Sequence, residues 1–422
     1  MIGYALVGRR AGAPAVVDGV HAKENIADGH WPLRSSDNVI FKSIVPIRQI
    51  YNHCASKSYR AKLVFPQPIL CKEVSRRKIA MPGKKLEPRP AAKTRSIHDA
   101  PGILVTGGAG FIGSHLVDAL LSWFPTTRVT VVDAITYAAN VENLVNARRS
   151  GRLRLVRASI EDRALLRDLI TPDMLVFHLA AESHVPRSFA DPDLFDRVNR
   201  LGTRVLLEAV RSAGAQRVIH FSTDEVYGSR LSPADEGSPF APTSPYARSK
   251  ADAEGEIRNA RNAGLDVTVL RPSNVIGPRQ HKEKLIPRFI ELAQSGRAFQ
   301  LEGDGDQRRT FLAISDLVRA VRLIVQKGTP NATYNVAGAE TFSVREVARI
   351  IASAMEKACR FEHVADRPAN DRAYLLDGAK MAALGFRPRT GVQEVVREIM
   401  TGDRGAHAAL PGRSSRMSIA AA

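Results

Sequence analysis

The sequence predicts an α/β protein, a doubly wound parallel (Rossmann) sheet with a smaller C-terminal substrate-binding lobe. Three observations carry this. From Ile103 onward, short apolar strands alternate with helical stretches, the pattern of a parallel sheet covered on both faces. The first of these strands runs into Gly107-Gly-Ala-Gly-Phe-Ile-Gly113, and a helical stretch follows. The next strand ends in Asp133, twenty residues after the last glycine.

Taken in order, Ile103–Thr106 reads as a buried strand and Phe111–Ser122 as the helix after the glycines. Val129–Val132, Leu153–Val156, Met174–Leu179, Arg217–Phe221 and Val267–Leu270 supply the second to sixth strands, with helical stretches at Asp162–Ile170 and Asp191–Ala213. The dinucleotide-binding domain is therefore expected over 101–271. Residues 272–400 read as mainly a substrate-binding lobe, with helices at Leu285–Ser295, Ser343–Glu356 and Val392–Met400 and a strand at Thr333–Val336. One helix, near 315–326, is expected to return to the main sheet. The polar tail 401–422 is expected to be loose.

Charge divides the chain unevenly. Residues 1–100 hold 18 Lys/Arg against 7 Asp/Glu, so the rest carries only +7 of the total +18. This first quarter has no sustained period, its apolar runs are broken by Pro46, Pro66 and Pro68, and Pro82-Gly-Lys-Lys-Leu-Glu-Pro-Arg-Pro90 reads as a solvated linker. It is expected to be a disordered basic extension, with Met81 as the working start; a targeting segment or a partner-binding arm is the alternative. The excess charge sits on no recognisable nucleic-acid module, so no nucleic-acid partner is expected. Cys54, Cys71 and Cys359 are too scattered for a disulfide framework or a zinc site, and no metal is expected. No apolar run reaches the roughly 18 residues of a membrane helix. These features together point to the cytoplasm.

Three sets of residues carry chemistry. Gly107, Gly110 and Gly113, with Phe111 and Ile112 opening the helix, let backbone amides approach a pyrophosphate at a positive helix terminus. Asp133 can accept hydrogen bonds from ribose hydroxyls and would repel a 2′-phosphate, which favours NAD over NADP. Tyr246 and Lys250, four apart, share a helix face. A phenol titrates near about 10, but an ammonium and a cationic nicotinamide ring would both stabilise its phenolate, so Tyr246 is a candidate base. Finally, Ser222-Thr223-Asp224-Glu225 follows the strand Arg217–Phe221. Paired acids at the end of a parallel strand sit where open α/β sheets bind ligands, and a second acid and base there would permit elimination beside oxidation.

Further matches run along the chain: Thr136-Tyr-Ala138, His178-Leu-Ala-Ala-Glu-Ser-His-Val185, Ser222-Thr-Asp-Glu-Val-Tyr-Gly228, Ser244-Pro-Tyr-Ala-Arg-Ser-Lys250, Glu283-Lys-Leu-Ile-Pro287, Gly305-Asp-Gln307 and Ala365-Asp-Arg-Pro368. On these, residues 102 to roughly 400 resemble the extended short-chain dehydrogenase/reductase superfamily, and within it the dTDP-glucose 4,6-dehydratase family. The Thr-Asp-Glu run is the discriminating match, because related epimerases generally lack the acid pair. The resemblance implies a bound NAD, a nucleotide-linked hexose and a three-stage reaction. Tyr246, with Thr223 on the C4 hydroxyl, takes a proton during oxidation at C4. Glu225 removes the C5 proton, Asp224 protonates the departing C6 hydroxyl, and the hydride returns to C6.

It also implies Ile160, Ala180, Ala181, Ser183 and Asn199 in the cofactor cleft. His184, Asn274, Lys284, Arg309, Asn335 and Arg367 would surround the sugar nucleotide, and a homodimer would form through the helical segments 191–213 and 244–263. Departures fall at Ser159, Pro186, Val275 and Asn370, where the family commonly has Asp, Asp, Asn and His, and the loop between Gly228 and Ser244 is shorter. None of these touches Thr223, Asp224, Glu225, Tyr246 or Lys250; several touch the nucleotide or sugar, so they bear on substrate identity more than on reaction type. The alternatives are a related epimerase, decarboxylase or 5,6-dehydratase, or a non-catalytic protein that keeps the cofactor fold.

Overall fold

The computed structural model describes residues 8–10, 13–15, 100–230 and 232–402. Strands β1 (Gly8–Arg10) and β2 (Ala13–Ala15) pair antiparallel. Otherwise the expectations for residues 1–99, including a start at Met81, and for the tail beyond Gly402 lie outside the described residues.

The centre is a parallel sheet of β3 (Gly102–Thr106), β4 (Arg128–Asp133), β5 (Leu153–Arg157), β6 (Leu175–His178), β7 (Arg217–Phe221) and β8 (Val267–Pro272). It has one strand more than the periodicity suggests. Thr333–Val336 does not stay with the C-terminal lobe; as β12 it pairs in parallel with β8 at the sheet edge, giving the order β12-β8-β7-β6-β3-β4-β5. The reason is side-chain content: Tyr334 and Val336 are buried in the same apolar cluster as Ile103 and Leu270. The chain reverses direction between β3 and β6, so a crevice opens at their C-terminal ends, the place where such sheets hold ligands.

Helices cover both faces. On one, α1 (Phe111–Trp123) packs beside a helix that arrives much later in the chain. On the other lie α2 (Gly202–Ala213) and α3 (Pro245–Asn262), over Leu104, Val132, Val176, Val218 and Val269. Ser244 starts α3 by accepting a hydrogen bond from Ala247 N at 3.0 Å, with Pro245 pre-set in the first turn. That start places Tyr246, Lys250 and Glu254 on one buried face.

The smaller lobe has its own core, built on α4 (Leu285–Gln294) and two short sheets. In one, β11 (Arg308–Ala313) pairs with β9 (Asn274–Ile276), β13 (Glu340–Ser343) and β15 (Ala373–Tyr374). In the other, β10 (Phe299–Glu302) pairs with β14 (Phe361–Val364). Between β11 and β12, α5 (Ile314–Lys327) is the late helix beside α1. Its Ile314, Leu317, Val321, Ile324 and Val325 repeat at helical spacing and are fully buried, each contributing about 1.5–3 kcal/mol. After β13 the lobe is completed by α6 (Val344–Ala354), opened by a reciprocal capping box of Ser343 and Glu346, and by α7 (Val392–Thr401).

Candidate active site

The glycine turn is shaped by close approach. Gly107 has φ +71°, and a Cβ there would lie 2.7 Å from Ala180 N, while one on Gly113 would lie 2.1 Å from Gly107 O. Only glycine lets the turn, the β6 loop and α1 meet this closely. At Gly110, by contrast, a Cβ would meet nothing but Gly107 O at 3.4 Å. The hollow above it is therefore bounded by backbone and by the α1 N-terminus, with Phe111 and Ile112 half-buried in the first turn. Asp133 closes one side, its Oδ2 accepting from Ala109 N at 2.9 Å and its Oδ1 from Ile135 N at 2.8 Å. Burial pushes the Asp133 carboxyl up, against these two backbone donors. Each oxygen keeps a further acceptor site, as a ribose diol requires. Ala180, Ala181 and Ser183 follow β6 along the other side, half-buried. These residues fit a dinucleotide.

Two expected cofactor residues are also engaged within the protein. Asn199 is 1% exposed and spent on protein: its Oδ1 accepts from Glu182 N at 2.8 Å, and its Nδ2 donates to Glu182 O and Ser249 Oγ at 2.9 Å each. With these donors and this acceptor engaged, its side chain ties down the Ala180–Ser183 loop. Ile160 is buried against α2, where a Cβ on Gly202 would lie 2.7 Å from Ile160 Cδ1, so its side chain is a packing group.

The acid pair sits on a single 3₁₀ turn, Asp224–Tyr227, capped by Thr223. The Thr223 hydroxyl accepts from Glu225 N at 3.3 Å, donates to Asp224 Oδ1 at 3.2 Å and lies beside the Tyr246 phenol. Asp224 Oδ2 is buried with no partner. Burial, and next the Glu225 charge, push the Asp224 carboxyl up to about 7. Burial also raises Glu225, but Arg309, Lys284 and Arg367 pull the other way. Burial raises both neighbouring carboxyls, leaving Asp224 partly protonated near neutrality while three cations oppose the rise at Glu225.

Lys250 donates to Phe221 O at 2.6 Å and lies 3.4 Å from His220 Nε2; burial lowers it to about 8. Beneath it His178 hydrogen-bonds Thr106 at 2.8 Å and Thr203 at 2.9 Å, and burial keeps both His178 and His220 neutral. Burial, Glu225 and Asp224 push the Tyr246 phenol above its ordinary value. The polypeptide alone thus holds Tyr246 protonated. In the protein alone, the Lys250 ammonium donates to the Phe221 carbonyl. A cation bound in the crevice is what Tyr246 needs to act as a base.

Next to Glu225, a cleft runs under the lobe, lined by Ser183, His184, Asn274, Lys284, Arg309 and Arg367 among others. Lys284 reaches across it to Ser183 O at 3.1 Å, and His184 faces Glu283 at 3.7 Å. Arg309 is 7% exposed and lies over the Tyr374 ring, with Nη1 donating to Asp371 O at 2.8 Å. Arg367 donates to Asn370 Oδ1 at 3.2 and 2.8 Å, so the residue standing where a His is expected orients the guanidinium. Val275 lines the cleft and Pro186 opens the short helix Val185–Ala190 beside it.

Asn335 is not in this cleft. It is fully buried in β12, accepting from Tyr227 OH at 2.8 Å and donating to Ala234 O at 2.8 Å and Asp377 O at 3.3 Å; it supports the sheet edge. In its place the structure adds Gln280, whose buried Oε1, like Asn274 Oδ1, has no partner. Sequence reading passed over Gln280 because a lone Gln after a strand carries no spacing signal.

Among families, the model described as GDP-mannose 4,6 dehydratase matches residues 104–399. A dTDP-glucose 4,6-dehydratase of Actinoplanes sp. is 41% identical over 305 residues, 70% of this chain and 95% of that enzyme. A trifunctional UDP-glucose 4,6-dehydratase/epimerase/reductase of Arabidopsis thaliana is 37% identical over 71% of this chain, which spans 46% of that longer protein. Among solved structures, the dTDP-glucose 4,6-dehydratase DesIV of Streptomyces venezuelae with NAD and TYD bound superposes with a TM-score of 0.69 at 39% identity, covering 71% of this chain and 97% of that one. A UDP-glucose 4-epimerase of Thermotoga maritima reaches 0.66 at 31% identity, covering 72% and 99%.

Proposed function

We propose, from the premise that this chain belongs to the GDP-mannose 4,6-dehydratase family and groups within it with the dTDP-glucose 4,6-dehydratases, that it is an NAD-dependent lyase converting a nucleotide-linked hexose, dTDP-glucose first, to its 4-keto-6-deoxy form. The single observation that carries the reading is the divided acid pair at the sheet crevice. Asp224 is held as an acid with a free buried oxygen, while Glu225 faces three cations. An epimerase has no use for such a pair.

Gly107, Gly110, Phe111, Ile112, Gly113, Asp133, Ala180, Ala181 and Ser183 would hold NAD. Bound NAD supplies a hydride acceptor for C4 and a donor for C6, and a positive ring that lowers the Tyr246 phenol. The residues of this chain move the protons. Tyr246, ordered by Thr223, takes the C4 hydroxyl proton. The new ketone makes C5–H acidic, and Glu225 removes that proton. Asp224 gives its own to the C6 oxygen, water leaves, and the proton held by Glu225 returns to C5 as C6 is reduced. Arg309 and Arg367 bind the pyrophosphate, Arg309 pre-oriented by Asp371 and Arg367 by Asn370. Asn274 and Gln280 supply unpaired acceptors for the substrate.

The working form of Asp224 is the acid. Water loss is therefore expected to fall as pH rises through about 7, measured as ketosugar formed per minute between pH 5 and 9. The same group has a stability signature. Its folded value lies above the unfolded 3.8, so its stabilising contribution is full below that value and lost as pH climbs towards about 7. Asp224→Asn is accordingly expected to raise the melting temperature at pH 8 and leave it unchanged well below pH 4.

The reading is tested by incubating the protein with dTDP-, UDP-, GDP- and CDP-hexoses and weighing the products. Loss of one water supports it, whereas an isobaric product indicates epimerisation. A cytoplasmic homodimer is part of the same proposal. The faces of α2 and α3 carry paired charges such as Arg204 and Glu256, 2.5 Å apart, which suit a polar interface, and the free exposed thiol of Cys359 suits a reducing compartment. Sedimentation reads the former. No helix among the described residues is long and apolar enough to cross a membrane.

A further inference from the structure

Helix α3 presents three polar residues at four-residue spacing to three consecutive residues at the end of β7. Tyr246 meets the Thr223 hydroxyl, Lys250 donates to Phe221 O at 2.6 Å, and Glu254 accepts from Ser222 Oγ at 2.7 Å. The first two contacts are explained by the reaction. The third is not, because Glu254 is 4% exposed and faces away from the cleft.

Glu254 is also the partner of Arg271, at the end of β8. Arg271 Nε donates to Glu254 Oε1 at 2.9 Å and Nη2 to Oε2 at 2.6 Å, with both side chains buried. The remaining guanidinium nitrogen, Nη1, donates to Tyr227 OH and, at 3.1 Å, to Glu236 O. The guanidinium also lies 4.7 Å from the centre of the Phe240 ring. One ion pair therefore grips the chain immediately before the turn, at Ser222, and at its last residue, Tyr227. Between those grips lie Thr223, Asp224 and Glu225.

We infer that the Glu254–Arg271 ion pair is a positioning device for the elimination step, bracketing the acid-bearing turn and setting it in register with the Tyr246/Lys250 face of the same helix. The inference rests on the dehydratase reading. Tyr246 and Lys250 are held by α3 itself, whereas Asp224 and Glu225 ride on a short 3₁₀ turn whose geometry depends on its two ends. Loosening the brackets should therefore impair water loss more than C4 oxidation, since small misplacements of proton-transfer groups cost large factors in rate.

The test uses Ser222→Ala with Tyr227→Phe, which cuts both brackets and leaves the ion pair intact. A second variant, Glu254→Gln with Arg271→Met, removes the pair without leaving a lone buried charge. Each is given NAD and dTDP-glucose, and reduced nicotinamide absorbance, ketosugar mass, KM and melting temperature are recorded. The expected result is product formation slowed about tenfold or more, with reduced nicotinamide accumulating above the wild-type level and KM little changed in the first variant. Oxidation and water loss slowing together, or neither slowing, overturns the inference. A wild-type protein that forms no ketosugar sinks the dehydratase reading, and this inference with it.

Discussion

Asp224→Asn combined with Glu225→Gln is expected to slow formation of the 4-keto-6-deoxy sugar by at least about a thousandfold, since each general acid or base contributes roughly 10²–10⁴. Both replacements are isosteric, and neither residue anchors the fold. Asp224 Oδ2 has no partner, and Asp224 Oδ1 only accepts from Thr223, a role an amide oxygen can fill. In the proposed mechanism, oxidation at C4 depends on Tyr246 and Thr223, which remain. The double variant should therefore still convert NAD to its reduced form on mixing with substrate, then stall. Stopped-flow absorbance with mass analysis separates the two events, and ketosugar at the wild-type rate would exclude the acid pair from the reaction.

Tyr246→Phe is expected to have an effect of similar size but opposite signature. Removing the phenol takes away the group that accepts the C4 proton, so neither reduced nicotinamide nor ketosugar should form at more than about a thousandth of the wild-type rate. Substrate binding should persist, because Arg309, Arg367, Asn274 and Lys284 line the cleft independently of α3. Calorimetric titration with the sugar nucleotide checks this. A Phe variant that still reduced its cofactor quickly would assign the proton to another group.

The two variants exploit what could be read from residue order. The glycine turn, Asp133, the Tyr246/Lys250 pair and the Asp224/Glu225 pair are local: each is a spacing along one strand end or one helix face, and the spacing survives folding. Residues whose role depends on what comes to meet them are harder to read. Asn199 and Asn335 look alike as candidate ligands, yet each is bonded within the protein, Asn199 to the Glu182 backbone and Ser249, and Asn335 to Tyr227 and the backbones of Ala234 and Asp377. Glu254 gives no sign in the sequence that Arg271 will reach it. Its neighbours in sequence put β12 with the lobe, whereas the edge of β8 offers it a parallel partner and an apolar face.

That edge strand has a consequence for anyone hoping to recombine these enzymes. Leaving β8, the polypeptide visits the smaller core, returns through α5 and β12, and departs again into β13 and α6. The smaller lobe is thus stitched to the main sheet by several threads, and no single cut releases it. Ending the protein at Arg271 would strip β8 of its neighbour and bare a hydrogen-bonding rim that invites aggregation. New specificity is better sought by changing side chains in place than by grafting a cassette.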